Sequence, residues 1–360
     1  EDPVIGMVEM RKKCPVAFAE KDPDAPFIAA AEKLPGRVLD PSQAKLFIVT
    51  TPLVSSLLAK WVGCGKPPHN VSANNALRRL VRTETWRRTG GENHLWVMVN
   101  WRIMQRDFIG PVPTDPERGE WASKQKLLEN VFVGTFEKMR NPWKCTVVVP
   151  YLTNRNSEFP TPTFREWLGR GTTLYYRNKN CSYWSRHRSR LRQMPKEIFK
   201  DVPGALVGHA VGANQFSAEL SSSRFCLAPA GDTPSTSKLY DIIRALCIPV
   251  IVSDGFDRVG KPFHSLLNWS TFALFLPERE FLERPLELTR RLWEAAEDEL
   301  LGYFTALRVA RQVLDWNAPD SRTAEFTIAS AAETCVGAPR DTHDYKENRK
   351  NVEPQDVPLC

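Results

Sequence analysis

The chain has 360 residues, of which 42% are hydrophobic and 25% charged, and its formal net charge at pH 7 is +7. This composition is typical of a globular protein with room for two domains, and it excludes a disordered or fibrous chain. No run of about 18 apolar residues occurs, so the sequence predicts no membrane-spanning helix. The positive charge suits an acidic partner such as a nucleotide diphosphate, an acidic polysaccharide or a nucleic acid.

Strand and helix patterns alternate along the chain, which predicts an α/β fold with parallel sheets. The strand candidates are short, rich in β-branched or aromatic residues and bounded by Pro, Gly or Asp, as buried parallel strands are. The predicted strands are Leu46–Thr50, His94–Val99, Thr146–Pro150, Thr172–Tyr176, Ala205–His209, Arg224–Leu227, Pro249–Val252 and Phe272–Leu276. The predicted helices are Ala73–Trp86, Ala122–Lys138, Ser185–Phe199, Gln215–Ser222, Ser235–Leu246 and Arg284–Asp315, the last interrupted around Gly302.

A stretch rich in Pro, Asn and Thr at residues 151–163 separates three predicted strands from five. It predicts a linker between two Rossmann-like domains, an N-terminal one of residues 1–160 and a C-terminal one of residues 161–316. The polar residues 317–360 are expected to form a poorly ordered tail.

Eight cysteines make an even count, which is compatible with disulfides in an oxidising compartment. Cys226 and Cys247 fit either a bridge or two buried thiols. No Cys/His cluster has zinc spacing, so no structural metal is expected. The chain begins at Glu1 instead of Met, so we expect a trimmed or mature chain from which any signal peptide or membrane anchor has been removed. Three N-x-S sequons give weak support for a secretory route; they begin at Asn70, Asn180 and Asn268.

The densest basic run is Arg186–Arg192. It fits a solvated helix face as well as an anion-binding surface. Because no nucleic-acid-binding motif with stacking aromatics accompanies it, a nucleic-acid partner is not expected.

The most informative segment runs from Ser223 to Asp254. It predicts a strand, a Pro- and Gly-containing loop at Pro229–Pro234, a helix and a second strand. In α/β folds, a loop of small residues that leads into a helix is where the phosphates of a nucleotide or nucleotide-sugar are held.

This segment resembles the exostosin-like glycosyltransferases. The resemblance is carried by the pattern S-x-F-C-L-x-P-x-G at Ser223–Gly231 and by C-I-P-V-I-V-S-D at Cys247–Asp254. Looser matches extend it over residues 46–316; they are Trp86–His94, Val147–Tyr151, Tyr175–Arg177, Arg188 with Leu191, Pro262–Phe263 and Asn268–Ser270.

The resemblance implies a GT-B fold, with two Rossmann-like domains whose parallel sheets face a central cleft. It implies inverting transfer from a UDP-sugar, without a required cofactor or metal, to a glycan or polysaccharide acceptor. It also implies a type II membrane protein of the Golgi lumen, with a possible partner glycosyltransferase. The motif Asp22-Pro23-Asp24 lies in a Pro-rich turn, so it is not expected to bind a metal.

The resemblance also implies the residues that bind the donor. Backbone N–H groups of the loop, the helix dipole and nearby cations would stabilise the diphosphate as the sugar leaves. Lys238 stands where the family commonly has Arg. Asp241 stands where the family has a Glu that accepts the ribose hydroxyls. The predicted donor-binding residues are Arg177, Arg188, Pro229, Gly231, Ser235, Ser237, Lys238 and Asp241.

An inverting transfer needs a general base that deprotonates the acceptor hydroxyl. Asn93 and Asn100 occupy the positions that match the family's acids, and an amide cannot act as a base. His94 and Asp107 are the catalytic candidates, although His94 fits a core histidine equally well; Glu84 and Glu158 are further candidates. The departures at Asn93, Asn100, Lys238 and Asp241 leave an alternative, a non-catalytic subunit that binds a partner transferase or a glycan.

Overall fold

The computed structural model describes residues 24–54, 75–77, 79–99, 129–138, 144–153, 159–178 and 186–338. They form two compact units. The first unit holds the described residues up to Leu152 together with those from Arg322 onward, and the second holds Thr153–Ser321. None of the described helices is long and apolar enough to cross a membrane.

Each unit contains one parallel sheet. The first sheet has the order β1-β2-β3-β4 and the second has the order β6-β5-β7-β8-β9. The strands are β1 Phe47–Ile48, β2 His94–Val97, β3 Phe132–Thr135, β4 Cys145–Val148, β5 Thr172–Asn178, β6 Ala205–His209, β7 Ser223–Pro229, β8 Ile248–Val252 and β9 Leu274–Phe275.

The helices of the first unit are α1 Asp24–Ala31, α2 Glu84–Thr89 and, numbered last in chain order, α12 Thr323–Thr334. Those of the second unit are α3 Phe164–Leu168, α4 Arg186–Ile198, α5 Ala213–Ser221, α6 Lys238–Arg244, α7 Phe256–Val259, α8 Glu278–Glu283, α9 Pro285–Thr289, α10 Arg291–Glu294 and α11 Glu297–Leu314. These elements confirm the predicted α/β class, with one parallel sheet in each of two units. The GT-B type stays a prediction.

All eight predicted strands are present, but β3 was predicted as part of a helix over Ala122–Lys138. The prediction is wrong because a buried apolar segment has no helical or strand period that the sequence reveals. Every residue of β3 is buried. Gly134 lets β3 lie close to β2, since a Cβ at this position would be 2.9 Å from Cγ2 of Val97.

Two predicted helices have different bounds. The segment Arg284–Asp315 breaks at Arg290 and at Ala295–Ala296 into α9, α10 and α11, and Gly302 lies inside α11. The helix predicted at Ala73–Trp86 is helical at residues 75–77 and 79–80, and α2 begins only at Glu84.

The motif that begins at Trp86 forms a helix end in the first unit. Thr83 Oγ1 accepts a hydrogen bond from the Trp86 amide, and Gly90 ends α2 in the left-handed conformation at φ +62. The Trp86 ring then packs edge-on against His94, the first residue of β2, with ring centroids 5.1 Å apart. The motif therefore contributes to the core.

The predicted poorly ordered tail is wrong for residues 317–338, because α12 packs against α1 and β4 in the first unit. Its buried face was not apparent in the sequence because it consists of small residues such as Ala324, Thr327 and Ala331. Cys335 at its end is bonded to Cys145 of β4. Residues 339–360 lie outside the described residues.

The cysteines of the second unit also form a bridge. Cys226 in β7 is bonded to Cys247, which precedes β8, and both are fully buried. Of the two alternatives left by the sequence, the structure shows the disulfide. The bond joins the strand before the loop and helix to the residue that leads into the next strand.

We predict that the double replacement Cys145→Ala/Cys335→Ala lowers the free energy of unfolding by about 2–4 kcal/mol, because the disulfide closes a long loop in the unfolded chain. Urea unfolding measures the loss. Limited proteolysis should then cut within α12, whereas the unmodified protein is protected there. Unchanged stability and protection would show that packing alone holds α12.

We also predict a pH dependence that originates at His94. Burial lowers the pKa of His94, which lies between Trp86 and Phe47 and whose Nδ1 is 3.0 Å from the Glu92 carbonyl oxygen. Below about pH 6.5 the unfolded chain therefore binds more protons than the folded one, and stability falls as the pH falls. His94→Asn should reduce this slope in urea unfolding between pH 7.5 and 5.5, and His209→Asn, at an exposed histidine, should not.

Candidate functional site

The strand order of the second sheet reverses at β5. β6 pairs with one side of β5 and β7 pairs with the other, and all these strands are parallel. The connections that leave the carboxyl ends of β5 and β7 therefore diverge and leave a crevice, where ligands bind in open α/β sheets. The residues at this point are Asn178, which ends β5, and Pro229, which ends β7.

The loop between β7 and α6, residues 230–237, has a shape that requires glycine. A Cβ at Gly231 would overlap the backbone carbonyl oxygen of Ser235, because the loop folds back on itself there. Ser253 Oγ donates a hydrogen bond of 2.8 Å to the Pro234 carbonyl oxygen and fastens the loop to the end of β8. Of the predicted residues, Gly231 thus fixes the shape of the loop, Pro229 ends β7 just before it, and the Ser235 side chain is buried.

Two arginines of α4 reach this loop. Arg188 Nη1 donates to the Gly231 carbonyl oxygen at 3.3 Å, and Arg192 Nη2 donates to Asp232 Oδ1 at 3.0 Å. They lie four residues apart and so share a face of the helix. Arg190 is exposed. The basic run is therefore more than a solvated surface.

Two lysines converge on Asn178 beside the loop. Lys238 Nζ donates to Asn178 Oδ1 at 2.9 Å and to the Arg177 carbonyl oxygen at 2.7 Å. Lys196 Nζ lies 3.4 Å from the Asn178 carbonyl oxygen, and burial together with the charge of Arg192 lowers the pKa of Lys196. We call Arg188, Arg192, Lys196 and Lys238 the cation cluster.

The side chain of Arg177 contacts Glu219, whereas the prediction had it contact the donor. Its Nε and Nη2 atoms each donate to a carboxylate oxygen of Glu219 at 3.0 Å. This bidentate pair raises the pKa of Arg177 and neutralises its charge. The structure thus argues against a phosphate contact by its guanidinium, and only its carbonyl oxygen joins the site.

The remaining predicted donor residues lie at the start of α6. This helix begins at Lys238, three residues after the predicted start. Ser237 precedes it without a side-chain cap hydrogen bond in the described structure. Asp241 is half-buried, one turn into the helix. The backbone brings Ser237, Lys238 and Asp241 to one end of α6, whereas their contacts with a donor stay predictions.

The carboxylate of Glu278, which the sequence did not point to, holds the start of α4 in place. Glu278, the first residue of α8, exchanges two hydrogen bonds with Asp254: its amide donates to Asp254 Oδ1 at 2.9 Å, and its Oε1 accepts from the Asp254 amide at 3.1 Å. Its other oxygen lies 2.6 Å from His187 Nε2. Glu278 thereby anchors the helix that carries Arg188.

The position of His94 argues against a catalytic role, which stays a prediction. His94 is 2% exposed and begins β2, so it lies at the amino edge of a parallel sheet, away from the carboxyl edge where ligands bind. Asp107, Glu158 and Asn100 lie outside the described residues. Glu84 is exposed but also precedes β2. Glu137, which the sequence analysis did not single out, follows β3 at the carboxyl edge and is buried.

The second aspartate of the Asp22-Pro23-Asp24 motif has a structural role. Asp24 is buried, and its Oδ2 accepts a hydrogen bond of 2.9 Å from the Val54 amide. Asp22 lies outside the described residues. Within the described ranges no group of three or more His, Cys, Asp or Glu could hold a metal ion, and whether the reaction needs a metal stays a prediction.

Comparison with known proteins identifies the family. The family model of the exostosin GT47 domain matches residues 26–292, well over half of the chain. "Probable arabinosyltransferase ARAD1" of Arabidopsis thaliana is 25% identical over 312 residues, which are 81% of this chain and 62% of the relative. "Probable xyloglucan galactosyltransferase GT19" of the same plant is 27% identical over 261 residues, which are 65% of this chain and 58% of the relative.

The chain thus spans about three fifths of the length of these two curated relatives. Among solved structures, sucrose-phosphate synthase from Thermosynechococcus elongatus shares 10% identity and covers 74% of this chain and 73% of its own, with a TM-score of 0.40. The family assignment rests on the match to the family model. The chain belongs to the exostosin GT47 family of glycosyltransferases.

Proposed function

We propose that the chain is an inverting glycosyltransferase that moves a sugar from a UDP-sugar to a glycan or polysaccharide acceptor. One observation carries the donor site: two arginines of the cation cluster contact the glycine-dependent loop and its two lysines contact Asn178, at the strand-order reversal of the second unit. Two relatives are named as a probable arabinosyltransferase and a probable xyloglucan galactosyltransferase, which supports a sugar donor and a polysaccharide acceptor.

The chemistry of the leaving group explains why cations are needed. When the glycosidic bond to the donor breaks, negative charge develops on the diphosphate, and fixed cations stabilise that charge in the transition state. Arg188 is held against the Gly231 carbonyl oxygen, and Lys238 is held by Asn178, so both charges are placed before a donor arrives. Asp241 is the carboxylate proposed to accept the ribose hydroxyls. Asp107 remains the proposed base.

We further propose that the protein works in the Golgi lumen, anchored by a membrane segment outside this sequence. The two described disulfides support an oxidising compartment, because such bonds seldom persist in the cytosol.

A second candidate is a non-catalytic subunit that binds a partner transferase or a glycan. Lys238 and Asp241 favour it, because they depart from the Arg and Glu of the family pattern and lie at the start of α6 in the proposed donor site. The two candidates differ in nucleotide binding, since the enzyme must bind UDP.

We predict micromolar UDP binding that does not depend on Mn²⁺, measured by titration calorimetry. Arg188→Ala should weaken binding about 10- to 100-fold, because a hydrogen-bonding cation near the diphosphate is lost. Arg190→Ala, at an exposed arginine of the same helix, is the matched control and should leave the affinity unchanged. If millimolar UDP fails to bind, the UDP-dependent enzyme is excluded and the subunit gains support.

We predict that Gly231→Ala weakens UDP binding at least tenfold while the chain still folds, because its Cβ would displace the Ser235 carbonyl and reshape the loop. Gly171→Ala is the control, since a Cβ there meets nothing within 4 Å. Equal UDP affinity in both variants would show that the loop does not bind the donor.

A further inference from the structure

Arg192 and Asp232 form an ion pair between a fixed cation and an accessible anion. The Arg192 side chain is 11% exposed, whereas the Asp232 side chain is 41% exposed. The backbone of Arg192 is held in place because its carbonyl oxygen accepts a hydrogen bond of 3.0 Å from the Tyr176 hydroxyl. Asp232 belongs to the loop between β7 and α6. The cation is thus the rigid partner and the carboxylate the one with access to solvent.

The surroundings of this pair are basic. Arg188 contacts the residue before Asp232, and Lys196 lies close enough to Arg192 for that charge to help lower the pKa of Lys196. Glu219, which could balance this charge, is already committed to Arg177. Glu197 also acts on Lys196, and its charge raises the pKa of that lysine. At the loop itself, Arg188 contacts Gly231 and Arg192 contacts Asp232, so two cations meet one loop carboxylate.

A carboxylate and a phosphate are alternative partners for one guanidinium, because both offer oxygens at the spacing of its N–H groups. A partly exposed ion pair contributes little stability and is easily exchanged. A carboxylate that stayed beside a bound diphosphate would repel it.

We propose that Asp232 occupies, in the unliganded chain, the place of a donor phosphate oxygen on Arg192, and that the diphosphate displaces it. This inference rests on the proposed donor site and adds two residues to it. Arg192 is a diphosphate-binding residue, and Asp232 is an internal competitor that limits the affinity for the donor and for the released nucleotide.

The test is titration calorimetry with UDP and, separately, with inorganic pyrophosphate. Asp232→Asn should tighten both about three- to tenfold, because the competing charge is removed and the amide keeps the size of the side chain. Arg192→Ala should weaken both about tenfold or more. In the double variant Arg192→Ala/Asp232→Asn, the gain in affinity from Asp232→Asn should disappear, because Asp232 limits binding only by occupying Arg192. Asp201→Asn, at an exposed aspartate outside the loop, is the charge-matched control.

Unchanged or weaker pyrophosphate binding by Asp232→Asn would overturn the inference. If Asp232→Asn lowers the affinity for pyrophosphate only when Mn²⁺ is present, the inference is also overturned, because Asp232 would then be a ligand of a cation that accompanies the diphosphate. If Asp232→Asn binds pyrophosphate more tightly but UDP binds to neither protein, the displacement of Asp232 by the diphosphate is supported. The proposed UDP-dependent function is then rejected. If neither ligand binds the unmodified protein, both proposals fail.

Discussion

The pairing of β5 with β6 on one side and β7 on the other is the constraint on which the candidate site depends. It sends the connections after Asn178 and Pro229 in different directions and opens the edge of the sheet between them. The helix that follows β5 can then extend Arg188 and Arg192 to the loop that follows β7. A sheet with its strands in simple sequential order would not have this reversal.

Charge placement around this edge follows from which cations already have anionic partners. Glu219 neutralises Arg177 through two hydrogen bonds, so this arginine serves the structure. Arg188 contacts the Gly231 carbonyl oxygen, and Lys238 contacts the carbonyl oxygen of Arg177 and the amide oxygen of Asn178. Arg192 instead pairs with Asp232, an accessible carboxylate in the loop. We propose that this pair, unlike the pair of Arg177 and Glu219, opens to an anionic ligand.

The first unit shows how a motif can be shared with a family for structural reasons. Trp86, Gly90 and His94 form a capped helix end and a packed aromatic corner at the amino edge of the sheet. The residue type of His94 suggested chemistry, because histidine is the commonest general base. The burial of Trp86 and His94 instead explains why a substitution at either position would disturb the core. α12 and its disulfide to β4 complete the same unit from the far end of the sequence.

The sequence by itself determined the fold class, eight strands and the loop proposed to bind the donor, because short strands bounded by Pro, Gly or Asp and a glycine-dependent turn leave local patterns. It could not distinguish β3 from a helix, since a fully buried segment shows no polar period. It also missed α12, whose buried face is made of small residues. Only the tertiary structure decided that Arg177 pairs with Glu219 and that Arg192 pairs with Asp232, because the reach of a long side chain depends on neighbours distant in sequence.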